Sequence, residues 1–253
     1  MMKKISLFLC LGAFIISNIV CSFGIRLPDR LKADPNHIKQ VALAKRLDYT
    51  VALAPVTLDK SLTTSQPAGN EKTLQLDTKQ LSEKLFKTFQ EGNVFKKMEM
   101  LSFVPSLDSN PADEAREKKI PMLMNVSIKK ARVYYAGKND ASLGNTAWWM
   151  LCGIPSFWGA DCDYGVDIEA KVSLFDLPAD QDYASEITSY DCVFSEKGSL
   201  NFLQRSASFA IIIMPPQWCP DNFSRIEELI LPDAQDKFLV QLAETTKKQF
   251  EGK

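Results

Sequence analysis

The sequence contains a single histidine and nearly equal numbers of basic and acidic residues. Both features exclude classes of function. Its 253 residues carry 30 Lys and Arg against 31 Asp and Glu, a net charge of -1. Binding to a phosphate backbone requires clustered basic residues, so nucleic acid is not an expected partner. The single histidine, His37, lies near the N-terminus. A Ser-His-Asp or Cys-His catalytic arrangement is therefore not expected.

Cysteine pairs of the CxxC type are also missing. Without them, and with one distant histidine, zinc binding by the cysteines is the weaker alternative to disulfides, and no metal or other cofactor is expected. Asp161 and Asp163 flank Cys162, while Asp167 and Glu169 share one strand face, so a carboxylate pair for hydrolysis is available in principle. Alternating acidic and basic residues are also what an antiparallel sheet shows to water. We therefore do not expect an enzyme, and a carboxylate-based hydrolase is the least favoured alternative.

The apolar run at the N-terminus is too short for a membrane span. Lys3 and Lys4 precede residues 5–16, which are apolar or small. A span needs about 20 residues, whereas this run has the length of the apolar part of a signal peptide. We interpret residues 1–21 as a signal peptide that directs export. The alternatives are a buried N-terminal helix and an uncleaved anchor.

Cys21 ends this segment at the position where a bacterial lipoprotein carries its lipidated cysteine. The preceding residues 18–20, Asn-Ile-Val, form an irregular lipobox, and cleavage after Ser22 by ordinary signal peptidase is the rival. We expect lipidation of Cys21. The protein would then contact a membrane surface through its lipid anchor, in the cell envelope, either anchored at the outer membrane or in the periplasm.

Four cysteines follow the signal peptide: Cys152, Cys162, Cys192 and Cys219. An even number of cysteines in an exported protein favours disulfides. If each cysteine forms a disulfide with the next one in the sequence, Cys152 is joined to Cys162 and Cys192 to Cys219. Four cysteines allow three connectivities, and the sequence does not choose among them.

The chain divides into a tether and one domain. Residues 22–46 contain prolines and charges and predict a tether, and residues 47–253 predict a single domain. A first strand is expected at 47–58, a helix at 78–91 that begins at Asp77, and a strand at 94–104. The apolar positions of 122–135 shift at Lys129 and Lys130, which predicts a β-bulge there.

The central feature of the domain is an alternating segment at 164–175, in which every second residue is apolar. This is the period of a half-buried strand, and with 183–194 it predicts an antiparallel hairpin. Two helices are expected at 221–230 and 233–250. The fold class is α+β, with a mixed, mostly antiparallel sheet and helices packed on one face.

Residues 137–163 form an insert rich in aromatic residues, and the predicted Cys152–Cys162 disulfide would close it. Its aromatic side chains either complete the core or form an exposed surface that binds an apolar ligand or a glycan. Burial is the more common fate of large aromatic residues. The candidates for a binding surface are Trp148, Trp149, Phe157, Trp158 and Tyr164.

The segment 50–56, TVALAPV, resembles the opening strand of bacterial envelope lipoproteins related to the curli secretion lipoprotein and the penicillin-binding-protein activators. The resemblance extends to the order of the following elements, up to the strand that ends at Asp176, and covers about half of the mature chain. It implies a non-catalytic accessory or scaffold protein in an envelope assembly or transport complex, with an envelope protein as partner. A soluble exported ligand-binding protein that uses the aromatic residues is the alternative.

Overall fold

The computed structural model describes residues 34, 36–60, 62, 69–102, 110–152, 159–178, 184–206 and 221–251. The side chains of Trp148 and Cys152 are not described. The predicted signal peptide, Cys21, Phe157, Trp158 and Cys219 lie outside these ranges. The elements, in chain order, are α1 (His37–Leu43), β1 (Leu47–Leu53), β2 (Thr57–Leu58), β3 (Glu71–Thr73), α2 (Thr78–Glu91), β4 (Phe95–Met100), α3 (Pro111–Glu117), β5 (Met122–Lys138), α4 (Ala141–Cys152), β6 (Ala160–Asp176), β7 (Ser185–Asn201), α5 (Phe202–Arg205) and α6 (Phe223–Phe250).

The strands form one mixed sheet in the order β4-β1-β5-β6-β7. The three 17-residue strands β5, β6 and β7 are antiparallel neighbours. β1 runs parallel to both β4 and β5, while β2 and β3 pair with later parts of β5. The predicted α+β class, the mostly antiparallel sheet and the central hairpin are confirmed.

The two faces of β6 differ as its alternation predicts. Val166, Ile168 and Ala170 are at most 1% exposed and lie in the main core, beneath α2 and α6. Asp167 and Glu169 point to the opposite face, where both are half-buried. Burial of every second side chain along much of this 17-residue strand stabilises the packing of the hairpin on the core.

The bulge predicted at Lys129 and Lys130 is present. The pairing of β5 with β6 shifts register between Ile128 and Lys130. Ile128 and Ala131 both remain in the main core, because the extra residue restores the inward direction of the following side chains.

α2 begins and packs as expected. The carboxylate of Asp77 accepts hydrogen bonds from the backbone N–H groups of Lys79 and Gln80, which have no partner within the helix. Leu85 and Phe89, one turn apart, are 0% and 1% exposed against the sheet.

The expectation that all helices lie on one face is wrong for α3. Ala112 and Ala115 of α3 form a second buried cluster with Ala52 and Leu123. The neighbours of Ala52 in β1, Val51 and Leu53, belong to the main core. β1 is therefore buried on both faces, since its small Ala52 lets a short helix approach the outer face closely.

The predicted tether ends in folded structure. α1 packs on the C-terminal part of α6, and Val41 is 4% exposed. The ammonium of Lys247, itself 2% exposed, donates to the carbonyls of Val41 and Ala44 at 2.7 and 3.0 Å. A lysine that binds the last carbonyls of a helix acts as its C-terminal cap, so the domain includes α1.

The two helices predicted at the C-terminus are one. α6 runs unbroken from Phe223 to Phe250 through Pro232. A proline removes a hydrogen bond from a helix interior. Here Ile230 and Ala234, on either side of it, are both buried in the core, and this packing holds the two halves as one helix.

Candidate functional site

α4 carries its apolar side chains outward. Its 12 residues include no charged residue. Leu143, Met150 and Leu151 are 83%, 70% and 80% exposed, and Ala147 is exposed as well. The spacing of these four positions is that of a single helix face. We call Leu143, Ala147, Met150 and Leu151 the α4 stripe.

Hydrogen bonds of Asn145 in α4 and of Asn139 just before it fix this orientation. Asn145, 8% exposed, donates from Nδ2 to the carbonyl of Gly159 at 2.9 Å. Asn139 accepts from the backbone N–H of Ala141 at 3.0 Å and donates to the carbonyl of Ala160 at 3.0 Å. A surface helix normally turns its apolar face inward. In α4 the inward face combines the buried Ser142 and Asn145 with the half-buried Trp149, and the exposed face is apolar.

Of the five residues predicted as an aromatic binding surface, Tyr164 and Trp149 have described side chains. Tyr164 is 1% exposed, and its ring meets Tyr135 and Phe223 edge-on at 5.6 and 6.3 Å. Tyr164 therefore belongs to the core and not to a surface, because β6 turns it toward α6. Trp149 is half-buried against Phe202. The side chain of Trp148 is not described, and Phe157 and Trp158 lie outside the described ranges.

A buried ionic cluster lies beside Tyr164, at the start of β6. The register of β6 and β7 shifts around Asp161, and such a bulge redirects a side chain. Asp161 is 0% exposed and lies 3.6 Å from Nε of Arg205, whose guanidinium also donates to Asp221 at 2.7 Å. Burial raises the pKa of Asp161, while the charge of Arg205 opposes that rise. The cluster ties together the starts of β6 and α6 and the short helix α5.

The two described thiols are buried and free. Burial raises the pKa of Cys162 to about 12 and that of Cys192 to about 11. A thiol reacts as its thiolate, so both are poor nucleophiles at neutral pH.

The sheet register separates these two cysteines. Cys162 pairs with Leu200, and Cys192 pairs with Ala170. Eight residues of strand lie between Cys162 and Ala170, about 26 Å at ~3.3 Å per residue. A disulfide needs Cα atoms within roughly 7 Å, so the connectivity that joins Cys162 to Cys192 is excluded.

The predicted bridge between Cys192 and Cys219 involves a residue outside the described ranges. The Cys192 thiol contacts Thr245 in the second half of α6.

The carboxylates considered for catalysis bind separate partners. Asp167 accepts from Arg132 at 2.9 and 3.0 Å and from Ser195 at 2.8 Å. Burial alone would raise its pKa, but the hydrogen bonds from Ser195 and Arg132 outweigh that effect and lower it. Asp163 accepts from Asn139 and Ser199. These groups form ion pairs and hydrogen bonds along the sheet and do not converge as an acid and a base.

A groove of about 400 Å³ lies on the outer face, between α3 and the sheet. Oδ1 of Asn125 is buried there and accepts no hydrogen bond from the residues that the structure describes. A buried polar atom without a partner is costly, and a ligand that donates a hydrogen bond would relieve it. Among the described residues the lining is uncharged and consists of Ala54, Pro55, Thr57, Pro111, Asn125, Val126, Ser127, Ser173 and Phe175.

His37 occupies a small pocket where α1 meets α6. Its Nε2 lies 3.2 Å from a carboxylate oxygen of Glu244. Within the described ranges, no three His, Cys, Asp or Glu side chains group in a way that could hold a metal ion. In that same part of the chain, no helix combines the length and apolar character needed to cross a membrane.

No protein-family model and no curated protein matches the sequence. Among solved structures, one similar chain is a hypothetical protein from Chlamydia trachomatis, with 12% identity and a TM-score of 0.34 over 79% of this chain and 98% of that one. Another is described as a neuraminyllactose-binding hemagglutinin homologue from Helicobacter pylori, with 11% identity and a TM-score of 0.38 over 83% and 91%. Scores this low do not establish a shared fold, and neither likeness supports a function.

The α4 stripe was not predicted, because residues 137–163 were treated only as an aromatic insert and no helix was expected there. The helical spacing of Leu143, Ala147, Met150 and Leu151 was a readable signal. The partnership of Asp161 with Arg205 had no such signal, since 44 residues separate them and the bulge that redirects Asp161 follows from strand pairing.

Proposed function

We propose that this protein is an exported, non-catalytic lipoprotein of the cell envelope, which acts by contact as an accessory or scaffold in an assembly or transport complex. The observation that carries the proposal is the α4 stripe, an exposed apolar face held outward by buried polar contacts of Asn145 and Asn139. Exposed apolar patches of this kind mark interaction surfaces.

The N-terminal sequence supports a place at a membrane surface. The positive start, the short apolar run and Cys21 have the order of a lipoprotein signal. Acyl chains contribute about 0.8 kcal/mol per buried CH₂, so a multiply acylated Cys21 would anchor the protein stably. The envelope-lipoprotein resemblance of residues 50–56 agrees with an accessory role beside a protein partner. This role needs no metal or cofactor.

Of the two disulfides expected from the sequence, we propose the one between Cys152 and Cys162. A bridge between Cys152 and Cys162 would join the end of α4 to the start of β6 and hold the stripe in place. The chain-entropy model gives about 2 to 3 kcal/mol for closing such a short loop. The register of β6 and β7 keeps Cys192 too far from Cys162 for a bridge between these two cysteines.

The test is fractionation of wild-type protein and Cys21→Ala together with metabolic labelling by a fatty-acid analogue. Wild-type protein should be labelled and sediment with membranes, and Cys21→Ala should be unlabelled and largely soluble. Unlabelled wild-type protein found wholly in the soluble fraction would reject the anchor.

The groove around Asn125 favours a second candidate, a soluble exported protein that binds a small neutral ligand. Such sites are largely apolar with a few placed polar groups, and this groove fits that description. In a fragment screen by ligand-detected NMR, hits should lose their signal with Asn125→Leu. If every hit persists in that variant, the groove is not the site.

A further inference from the structure

We infer that the α4 stripe inserts into the apolar interior of a lipid bilayer and that its binding does not depend on anionic lipid. This inference rests on the proposed function and names the partner of the same surface. It follows from the charge, size and position of the stripe.

The charge pattern favours a neutral apolar medium. No residue from Ala141 to Cys152 is charged. The exposed residues just before the helix are Lys138 and Asp140, whose charges cancel. A protein–protein interface normally has a polar rim around its apolar centre. α4 contributes no charged side chain to such a rim.

The size of the stripe argues against a second copy of this chain as the occupant. Three large side chains exposed at 70 to 83% offer roughly 400 Å², the scale of a functional surface patch. A standard stable interface buries about 800 Å² on each partner. A bilayer needs no complementary surface, and an apolar helix face can lie about 5 to 10 Å deep at its boundary.

The chain length allows the stripe and the acyl group to share one membrane. Contacts of His37 with Glu244 place the N-terminal end of the domain beside the later half of α6. α4 packs on the start of β6, next to the beginning of α6 where Phe223 meets Tyr164. Phe223 and Glu244 are about 31 Å apart along the helix at ~1.5 Å per residue.

The segment between Cys21 and Asp34 is long enough to span that distance. It has 13 peptide steps, which extend up to about 45 Å. An acylated Cys21 can therefore enter the same bilayer that the stripe touches. The stripe alone gives weak, reversible attachment, and it adds a second contact with the bilayer that the acyl chains of Cys21 enter.

The experiment is flotation with vesicles of pure phosphatidylcholine. The protein is the mature chain from residue 21 with Cys21→Ala, which lacks the signal peptide and the acyl chain. It should float with the vesicles at high lipid concentration. The double variant Leu143→Ser, Leu151→Ser should lose about tenfold or more in partition coefficient. The matched control is Leu43→Ser, a leucine 87% exposed on α1, which should bind as the parent does.

Salt and lipid charge separate insertion from electrostatic binding. Raising salt from about 0.1 M to about 1 M shortens the Debye length from roughly 10 to 3 Å, and binding should not change. Vesicles with anionic lipid should bind no more tightly. Binding that requires anionic lipid, or that falls equally with Leu43→Ser, would overturn the inference.

Other occupants of the stripe give different results. A wild-type dimer that the double variant converts to a monomer would indicate a second copy. A double variant whose melting temperature falls by several degrees would indicate that another part of the chain covers the stripe. Acylation of Cys21 with no flotation of the mature chain would reject this inference and leave the anchor intact. Flotation of the mature chain without acylation of Cys21 would support this inference and reject the acyl anchor.

Discussion

Replacing Arg205 by methionine removes the positive charge that faces Asp161. Arg205 is 1% exposed and Asp161 is 0% exposed, and Asp221 accepts a hydrogen bond from the same guanidinium at 2.7 Å. Methionine is also long and unbranched, so it fills much of the space of the arginine stem. The variant therefore tests the charge more than the volume.

The expected loss of stability is large. Removing one partner of a buried ion pair leaves an uncompensated charge and destabilises by about 3 to 5 kcal/mol. The second partner of Arg205, Asp221, is 20% exposed and can be partly rehydrated, so the loss should come mainly from Asp161. Asp161→Asn combined with Arg205→Met should recover a large part of it, because the amide carries no charge.

The loss should depend on pH through Asp161. Burial raises the pKa of its folded-state carboxyl above the unfolded value of 3.8. The folded state then binds more protons, so stability falls as pH rises from 3.8 through the folded pKa. Without Arg205 the folded pKa rises further, and this decline extends to higher pH with a slope of up to about 1.4 kcal/mol per pH unit.

The assay is urea unfolding followed by circular dichroism, at about pH 5 and about pH 7.5. Arg205→Met should differ from wild type by more at the higher pH, and the double variant should show little of that difference. A single variant within about 1 kcal/mol of wild type, or an equal loss at both pH values, would refute the buried-charge reasoning.

Three further predictions concern the sheet, the thiols and the domain boundary. Ile168→Asp should prevent folding because it places an unpaired charge in the core, while Glu169→Ala should be nearly silent in thermal melts; the reverse result would mean that the faces of β6 are exchanged. Peptide mapping of unreduced protein should show no disulfide between Cys162 and Cys192, and a linked peptide that contains both would contradict the register argument. Lys247→Met should lower the free energy of unfolding by about 1 to 3 kcal/mol, since the buried carbonyl of Val41 and the part-buried carbonyl of Ala44 lose their donor. Lys248→Met at the exposed neighbouring position should change it by less than about 0.5 kcal/mol, and equal effects would argue that α1 is not held by Lys247.

Much of the sheet was predictable because local patterns determine it. Alternation along 164–175 gave β6 and its buried face, and the shifted alternation at Lys129 and Lys130 gave the bulge. The cap at Asp77 marked the start of α2. Each of these features depends on residues that are neighbours in sequence.

The remaining features depend on tertiary contacts. The capping of α1 by Lys247 joins positions 206 and 203 residues apart. The continuity of α6 through Pro232 depends on core packing that a local helix rule does not include. The outward apolar face of α4 follows from hydrogen bonds of Asn145 and Asn139 to the start of β6.

The most direct test of the central claim is photocrosslinking in living cells from a diazirine-bearing leucine analogue at position 151, with the same analogue at position 43 as control. The account predicts phospholipid adducts from position 151, detected by the mass of the released peptide, and few from position 43. Adducts from position 151 that consist of protein alone, or equal lipid adducts from both positions, would contradict it.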